Sequence, residues 1–182
     1  MKQITTPAIR LFVICFVCAL LLGVSSEVTK EPIAAQAIKN QNEAMSAVLP
    51  DSSFEETDLA DDIDPSITKI MLAKDTSGDL KGFVLSVSSN GFGGPISMMV
   101  GVDTEGSITG LRILSLAETP GLGAKATEPS FYEQFTGASG VLAVNKDGGD
   151  IEAITSSTIT SRAVVAGANI ALNWVKENGG AY

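Results

Sequence analysis

Thr155, Ser156, Ser157 and Thr158 place four hydroxyls directly ahead of a long, mostly apolar run, and Arg162 follows one helical turn later. Hydroxyl residues before an apolar periodic segment mark a helix start, and Asn178-Gly179-Gly180 marks its end. With Thr155 as the N-cap, Thr158 falls in the first turn. There, backbone N–H groups without intrahelical partners and the helix dipole favour an anion. Arg162 shares the face of Thr158, and a cation so near an N-terminus opposes the dipole. An anion such as a phosphate near Thr158 would account for it. The alternative is a plain capped helix with a solvated arginine.

Other chemistries are excluded by composition. Histidine is absent from all 182 residues, so Ser-His and Cys-His nucleophile systems and His-ligated metals are ruled out. Cys15 and Cys18 have C-x-x-C spacing but lie in an apolar N-terminal run, where they read as small apolar side chains. No metal site and no catalytic acid, base or nucleophile is expected. All 21 acidic residues follow residue 26, against ten of the 12 basic ones, a net of −11 for that part. Such a charge argues against nucleic-acid or anionic-lipid binding.

The elements that must position these hydroxyls can be sketched. Lys2 and Arg10 flank the start of an apolar segment, read as an uncleaved transmembrane anchor over 9–26. A cleaved signal peptide is the alternative. The basic side keeps residues 1–8 cytoplasmic and sends the rest across. Residues 27–64 read as a connector: a helix over 33–49 that stops at Pro50, then seven acids between Asp51 and Asp64. The remaining 65–182 suit one α+β domain, a twisted antiparallel sheet covered by helices. Strands are expected over 67–73, 81–88, 96–102 and 107–117, joined by Asp75-Thr76-Ser77-Gly78-Asp79 and Asp103-Thr104-Glu105-Gly106 turns. A short helix over 127–135 with Thr127 as cap and a weak strand pair at 141–144 and 151–154 precede the final helix. Gly91-Phe92-Gly93-Gly94-Pro95 permits close backbone approach, and Glu118-Thr119-Pro120-Gly121-Leu122-Gly123 turns with one exposed leucine. Neither is a dinucleotide fingerprint.

"GFGGPISMMVGVD", "ETPGLGAK", "FYEQFTG" and "ITSSTITSRAV" occur here in the order found in FMN-binding subunits of bacterial Rnf and Nqr respiratory complexes. Length and the single N-terminal apolar helix resemble the G-subunit branch of the Rnf family more than the longer Nqr counterparts. The match is good over about residues 80–175. The resemblance implies FMN joined by a phosphoester to Thr158, the last residue of Thr155-Ser156-Ser157-Thr158, attached from FAD by a separate magnesium-dependent flavin transferase. Ser156-Ser157 stands where the family has Gly-Ala, and Glu152 where Asp is common. Serine is expected to fit a helical backbone there without strain, with Ser157 and Thr160 as alternative acceptors.

By the same resemblance, Glu118, Thr119 and Leu122, together with the 91–94 loop, border the flavin ring, and Arg162 helps hold the phosphate. The chain would be an electron-relay flavoprotein of an ion-translocating (Na⁺ or H⁺) ferredoxin:NAD oxidoreductase complex. Its partners would be the other membrane subunits, with one helix in the cell (inner) membrane and the flavin domain extracytoplasmic. Two rivals stand beside this reading: an extracytoplasmic FMN-carrying reductase module serving an external acceptor, and a scaffold protein without flavin.

Overall fold

A computed structural model describes residues 2–57 and 63–182; positions 58–62, in the acidic part of the expected connector, lie outside the described residues. The chain forms two compact units, Met1–Asn40 and Gln41–Tyr182.

In the first unit the backbone is helical. Helix α1 (Lys2–Val48) includes Pro7 and Pro32. Separate anchor and connector helices were expected on either side of Pro32. A helix survives an internal proline at the loss of one hydrogen bond, and here it continues through. Among the described residues this is the one helix long and apolar enough to cross a membrane.

The second unit begins at Gln41: the end of α1 packs into its core and the first strand joins the edge of its sheet. Five strands form an antiparallel meander in sequence order: β1 (Ser53–Thr57), β2 (Ile67–Lys74), β3 (Leu80–Asn90), β4 (Pro95–Asp103) and β5 (Ile108–Ser115). Strand β1 was not anticipated; three acids and hydroxyls in its vicinity hide a segment whose Glu55 and Glu56 pair with Lys74 and Lys69 on β2. Both tight hairpins use one device. The Asp75 carboxylate accepts from the Ser77 and Asp79 amides, and Asp103 from those of Glu105 and Ser107. Gly78 and Gly106 then take the left-handed conformation that returns the chain.

Period-2 alternation sends side chains to two faces. Phe83, Leu85, Val87, Met98, Val100 and Val102 join the larger core with helix α3 (Thr158–Asn178). Val84, Met99, Met71 and Ala73 face the other way and pack with Ala44, Met45, Val48 and Leu49. The Thr109 hydroxyl donates to the Val48 carbonyl at 2.6 Å.

Two local expectations are corrected. Thr127 does not cap the short helix: its hydroxyl donates to Ala124, and α2 (Pro129–Tyr132) starts after Glu128, with proline at its first position. The strand pair at 141–144 and 151–154 reduces to one parallel bridge, Val144 with Ile151. A 3₁₀ turn at Asn145–Asp147 and Gly148 at φ 85° fold the chain back too sharply for a ladder.

Candidate functional site

The hydroxyl segment is built differently from a simple cap. Helix α3 starts at Thr158, with Ser157 as N-cap residue at φ −136°, and Ser157 makes no side-chain cap hydrogen bond. Thr155 therefore lies outside the helix and is not its cap. The anchor of this turn is Ser161, fully buried. Its Oγ accepts from the Ile154 amide at 2.9 Å and donates to the Ser157 carbonyl at 3.0 Å. The Ser157 amide in turn donates to the Ile154 carbonyl. This closed loop fixes where Thr158 leaves the turn and enters the helix.

Ser156 sits at φ 63°, in the left-handed region, so the expectation that it would fit a helical backbone without strain is corrected. A left-handed turn residue is where glycine costs least. This gives a backbone reason for the glycine that the resemblance places there.

The first-turn amides of Thr158, Ile159 and Thr160 precede the helix's i→i−4 ladder and, among the described residues, no side chain caps them. They border a groove of about 460 Å³ lined by Phe92, Glu118, Thr119, Leu122, Gly123 and residues 156–160. The structure thus brings together Glu118, Thr119, Leu122, Ser156, Ser157 and Thr158. Thr155 lines a different hollow, beside Glu152 and Gln134. Phe92, Leu122 and Ile159 are 74%, 43% and 51% exposed and give the groove apolar walls.

Glu118 is buried, and its carboxylate turns away from solvent to accept from the Phe92 amide at 2.7 Å and the Gly93 amide at 3.3 Å. It therefore ties the 91–94 loop to the 118–123 loop and shapes the groove wall. The backbones approach so closely that a Cβ on Gly93 would collide with the Ala117 carbonyl. Motif order alone placed Glu118 at the ring's border; its observed partners are backbone amides.

Arg162 is committed elsewhere. Its Nε and guanidinium NH2 donate to the two Asp147 carboxylate oxygens at 2.7 and 2.6 Å. That hydrogen-bonded guanidinium holds the Asp147 carboxyl below the usual aspartate range, and the carboxylate raises Arg162 in return. The cation at the helix mouth is Lys146, whose Nζ donates to Thr158 Oγ1 at 3.0 Å. Lys146 carries no signal in the sequence because it is one lysine in a Gly- and Asp-rich loop, twelve residues from its partner. Its place beside Thr158 becomes visible only when the 3₁₀ turn folds back onto α3.

Of the neighbouring hydroxyls, Thr160 and Ser157 are buried, while Thr158 is half-buried and opens on the groove. Amides that no side chain caps among the described residues, one ammonium at Thr158 Oγ1 and apolar walls within reach for a flat ring form a donor set that fits a phosphate-bearing aromatic group.

Comparison with known proteins follows the same lines. The FMN-binding domain family matches residues 91–173. The G subunit of the ion-translocating oxidoreductase complex of Methanosarcina acetivorans is 32% identical over 184 residues, covering 98% of this chain and 98% of that protein. The G subunit of the Na(+)-translocating ferredoxin:NAD(+) oxidoreductase complex of Acetobacterium woodii is 33% identical, covering 94% of this chain and 91% of its own length. A crystal structure of the C subunit of the Na(+)-translocating NADH-quinone reductase from Parabacteroides distasonis aligns with a TM-score of 0.49 at 27% identity. That alignment covers 59% of this chain and 61% of the other, less than two thirds of its length.

Proposed function

The chain belongs to the family of G subunits of ion-translocating oxidoreductase complexes, and from that premise we propose that it is the electron-relay flavoprotein of such a complex, carrying FMN phosphoester-linked to Thr158. The observation that carries this reading is the half-buried Thr158 hydroxyl, which opens on the groove beside first-turn amides that no side chain caps among the described residues and accepts from the Lys146 ammonium.

The flavin would supply the redox chemistry, taking up and giving out electrons. The protein's own residues bind and orient. The first-turn amides and Lys146 neutralise the single charge of the diester. Phe92, Leu122 and Ile159 offer apolar contact to a ring, and Thr119 adds a hydroxyl at its border. Glu118 holds the two glycine-bearing loops at a fixed separation. Ser161 fixes the turn that presents Thr158. No side chain here needs to act as general acid or base, which agrees with a chain that lacks histidine. The groove is open, and an exposed flavin edge suits exchange with neighbouring proteins.

The relatives' names supply the wider setting: electrons passing between ferredoxin and NAD(+), coupled to Na⁺ or H⁺ movement. In this reading the chain is a single-pass protein of the cell membrane, N-terminus cytoplasmic and flavin domain outside, and it is matured by a flavin transferase. Its partners are the other, multi-span subunits. The test is affinity purification of the tagged, full-length chain from its native membranes in mild detergent. Co-isolation with several multi-span subunits and flavin supports the relay. A flavin-bearing chain isolated alone contradicts it in favour of a free reductase module.

A further inference from the structure

Lys146, Asp147, Arg162 and a sharp 3₁₀ turn come together at the mouth of α3. Lys146 stands on that turn, one residue from Asp147. Asp147 grips Arg162, one turn into α3, through a bidentate pair. The turn is tied a second time by backbone: the Asn145 amide donates to the Ile151 carbonyl at 2.7 Å, and the Asn145 side-chain carbonyl accepts from Ala153. A surface ion pair contributes little stability, but a two-pronged one fixes orientation well. These ties hold the base of a long, flexible side chain twelve positions before its partner, and its tip reaches Thr158 Oγ1.

We infer that Lys146 is the positioning residue for flavin attachment: it orients the Thr158 hydroxyl and then neutralises the phosphodiester formed on it, with the Asp147–Arg162 pair as its strut. The inference rests on the reading of Thr158 as the attachment residue. An ammonium can only donate, so Thr158 Oγ1 is the acceptor in their contact. The hydroxyl proton and a remaining lone pair are thereby turned away from Lys146.

In the attachment step, Oγ1 attacks the flavin-side phosphorus of FAD. The Oγ1–P bond forms as the P–O bond to the adenylate half breaks. AMP leaves with the bridging oxygen, and the hydroxyl proton passes to a base of the transferase and then to solvent. Nothing is oxidised or reduced. The chain gains one negative charge beside a helix N-terminus, and the lysine supplies the matching positive charge at the ester oxygen. Arg162 cannot serve in that place while both Asp147 oxygens occupy it. The acidic balance of the domain makes a local cation at this point more valuable, since most surrounding charge repels an incoming dinucleotide.

The test uses the full-length chain in detergent with FAD, Mg²⁺ and a flavin transferase, following covalent flavin by intact mass and in-gel fluorescence over time. Lys146→Met should slow incorporation roughly tenfold to a hundredfold, the range for loss of a charge-assisted hydrogen bond. Lys146→Arg should recover most of the rate. Because Lys146 is exposed, both variants should keep the wild-type melting temperature and circular dichroism. Incorporation into Lys146→Met at the wild-type rate overturns the inference and leaves the Thr158 reading intact. So does a slow Lys146→Met that Arg fails to rescue, or one that has lost its fold. Absence of flavin from the wild-type chain sinks the attachment reading itself, a separate and recognisable failure.

Discussion

Ser156→Gly tests the backbone argument at the attachment turn. Ser156 holds φ 63°, where an L-residue other than Asn or Asp sits about 1–2 kcal/mol above glycine. Glycine loses more freedom on folding, about 0.5–1 kcal/mol. The difference predicts a net gain of about 0.5–1 kcal/mol. For the compact unit Gln41–Tyr182, that corresponds to a rise of about 1–4 °C in melting temperature. Ser156→Val makes the opposite demand, because a β-branched residue pays more in the left-handed region; its melting temperature should fall below wild type. Near-UV circular dichroism of the detergent-solubilised full-length chain reads both. Ser156 also lines the groove, so glycine trims its rim and flavin attachment should be at least as fast as in wild type. A glycine variant less stable than wild type, together with a valine variant as stable as wild type, would show that the left-handed backbone at Ser156 carries no such cost. The turn would then be set by something other than local backbone preference.

Two further outcomes follow from the same geometry. Glu118→Ala removes the acceptor of the Phe92 and Gly93 amides and should cost about 1–2 kcal/mol, with faster hydrogen exchange in the 91–94 loop. Glu118→Gln keeps a carbonyl oxygen there and should stay within about 0.5 kcal/mol of wild type; equal losses for both would show that the hydrogen bonds are not the cause. The Asp147 carboxyl is held below its ordinary range by the Arg162 hydrogen bonds. A depressed folded value means its stabilising contribution is full above the unfolded aspartate value, about 4, and disappears as pH falls through the folded value. The stability gap between wild type and Asp147→Asn should therefore be constant from neutral pH down to about 5 and close in more acid solution. Thermal melts across that range would contradict the pairing if the gap were unchanged at about pH 2, well below the ordinary aspartate value.

Much of the sheet was legible because its signals are local. The apolar runs along 81–88 and 96–102 and the two Asp-x-x-Gly turns mark the strands and the hairpins that pair β2 with β3 and β4 with β5. Strand β1 was not, since the edge of a sheet can be polar on its open side and its burial depends on partners far along the chain. Helix α3 was visible from its apolar circumference, yet its first residue was misplaced. Four successive hydroxyls offer several caps, and the choice was made by buried Ser161, which closes the turn from inside the helix. At the candidate site, Glu118, Leu122 and Thr158 were reachable from motif order. Lys146 was not, because a surface lysine carries no periodicity and its meaning lies in a contact across a folded-back loop. Arg162 misled for the same reason: its partner, Asp147, is brought to it only by the 3₁₀ turn.

Covalent flavin at Thr158 is the claim beneath the rest, and it has a direct measurement. The full-length wild-type chain and its Thr158→Ala variant are produced with a flavin transferase, fully denatured, and assayed by intact mass, in-gel flavin fluorescence and peptide mapping across residues 147–176. One FMN on wild type, mapped to Thr158, and a bare, non-fluorescent variant are expected. A bare wild-type chain, or flavin persisting after Thr158→Ala, would contradict that claim.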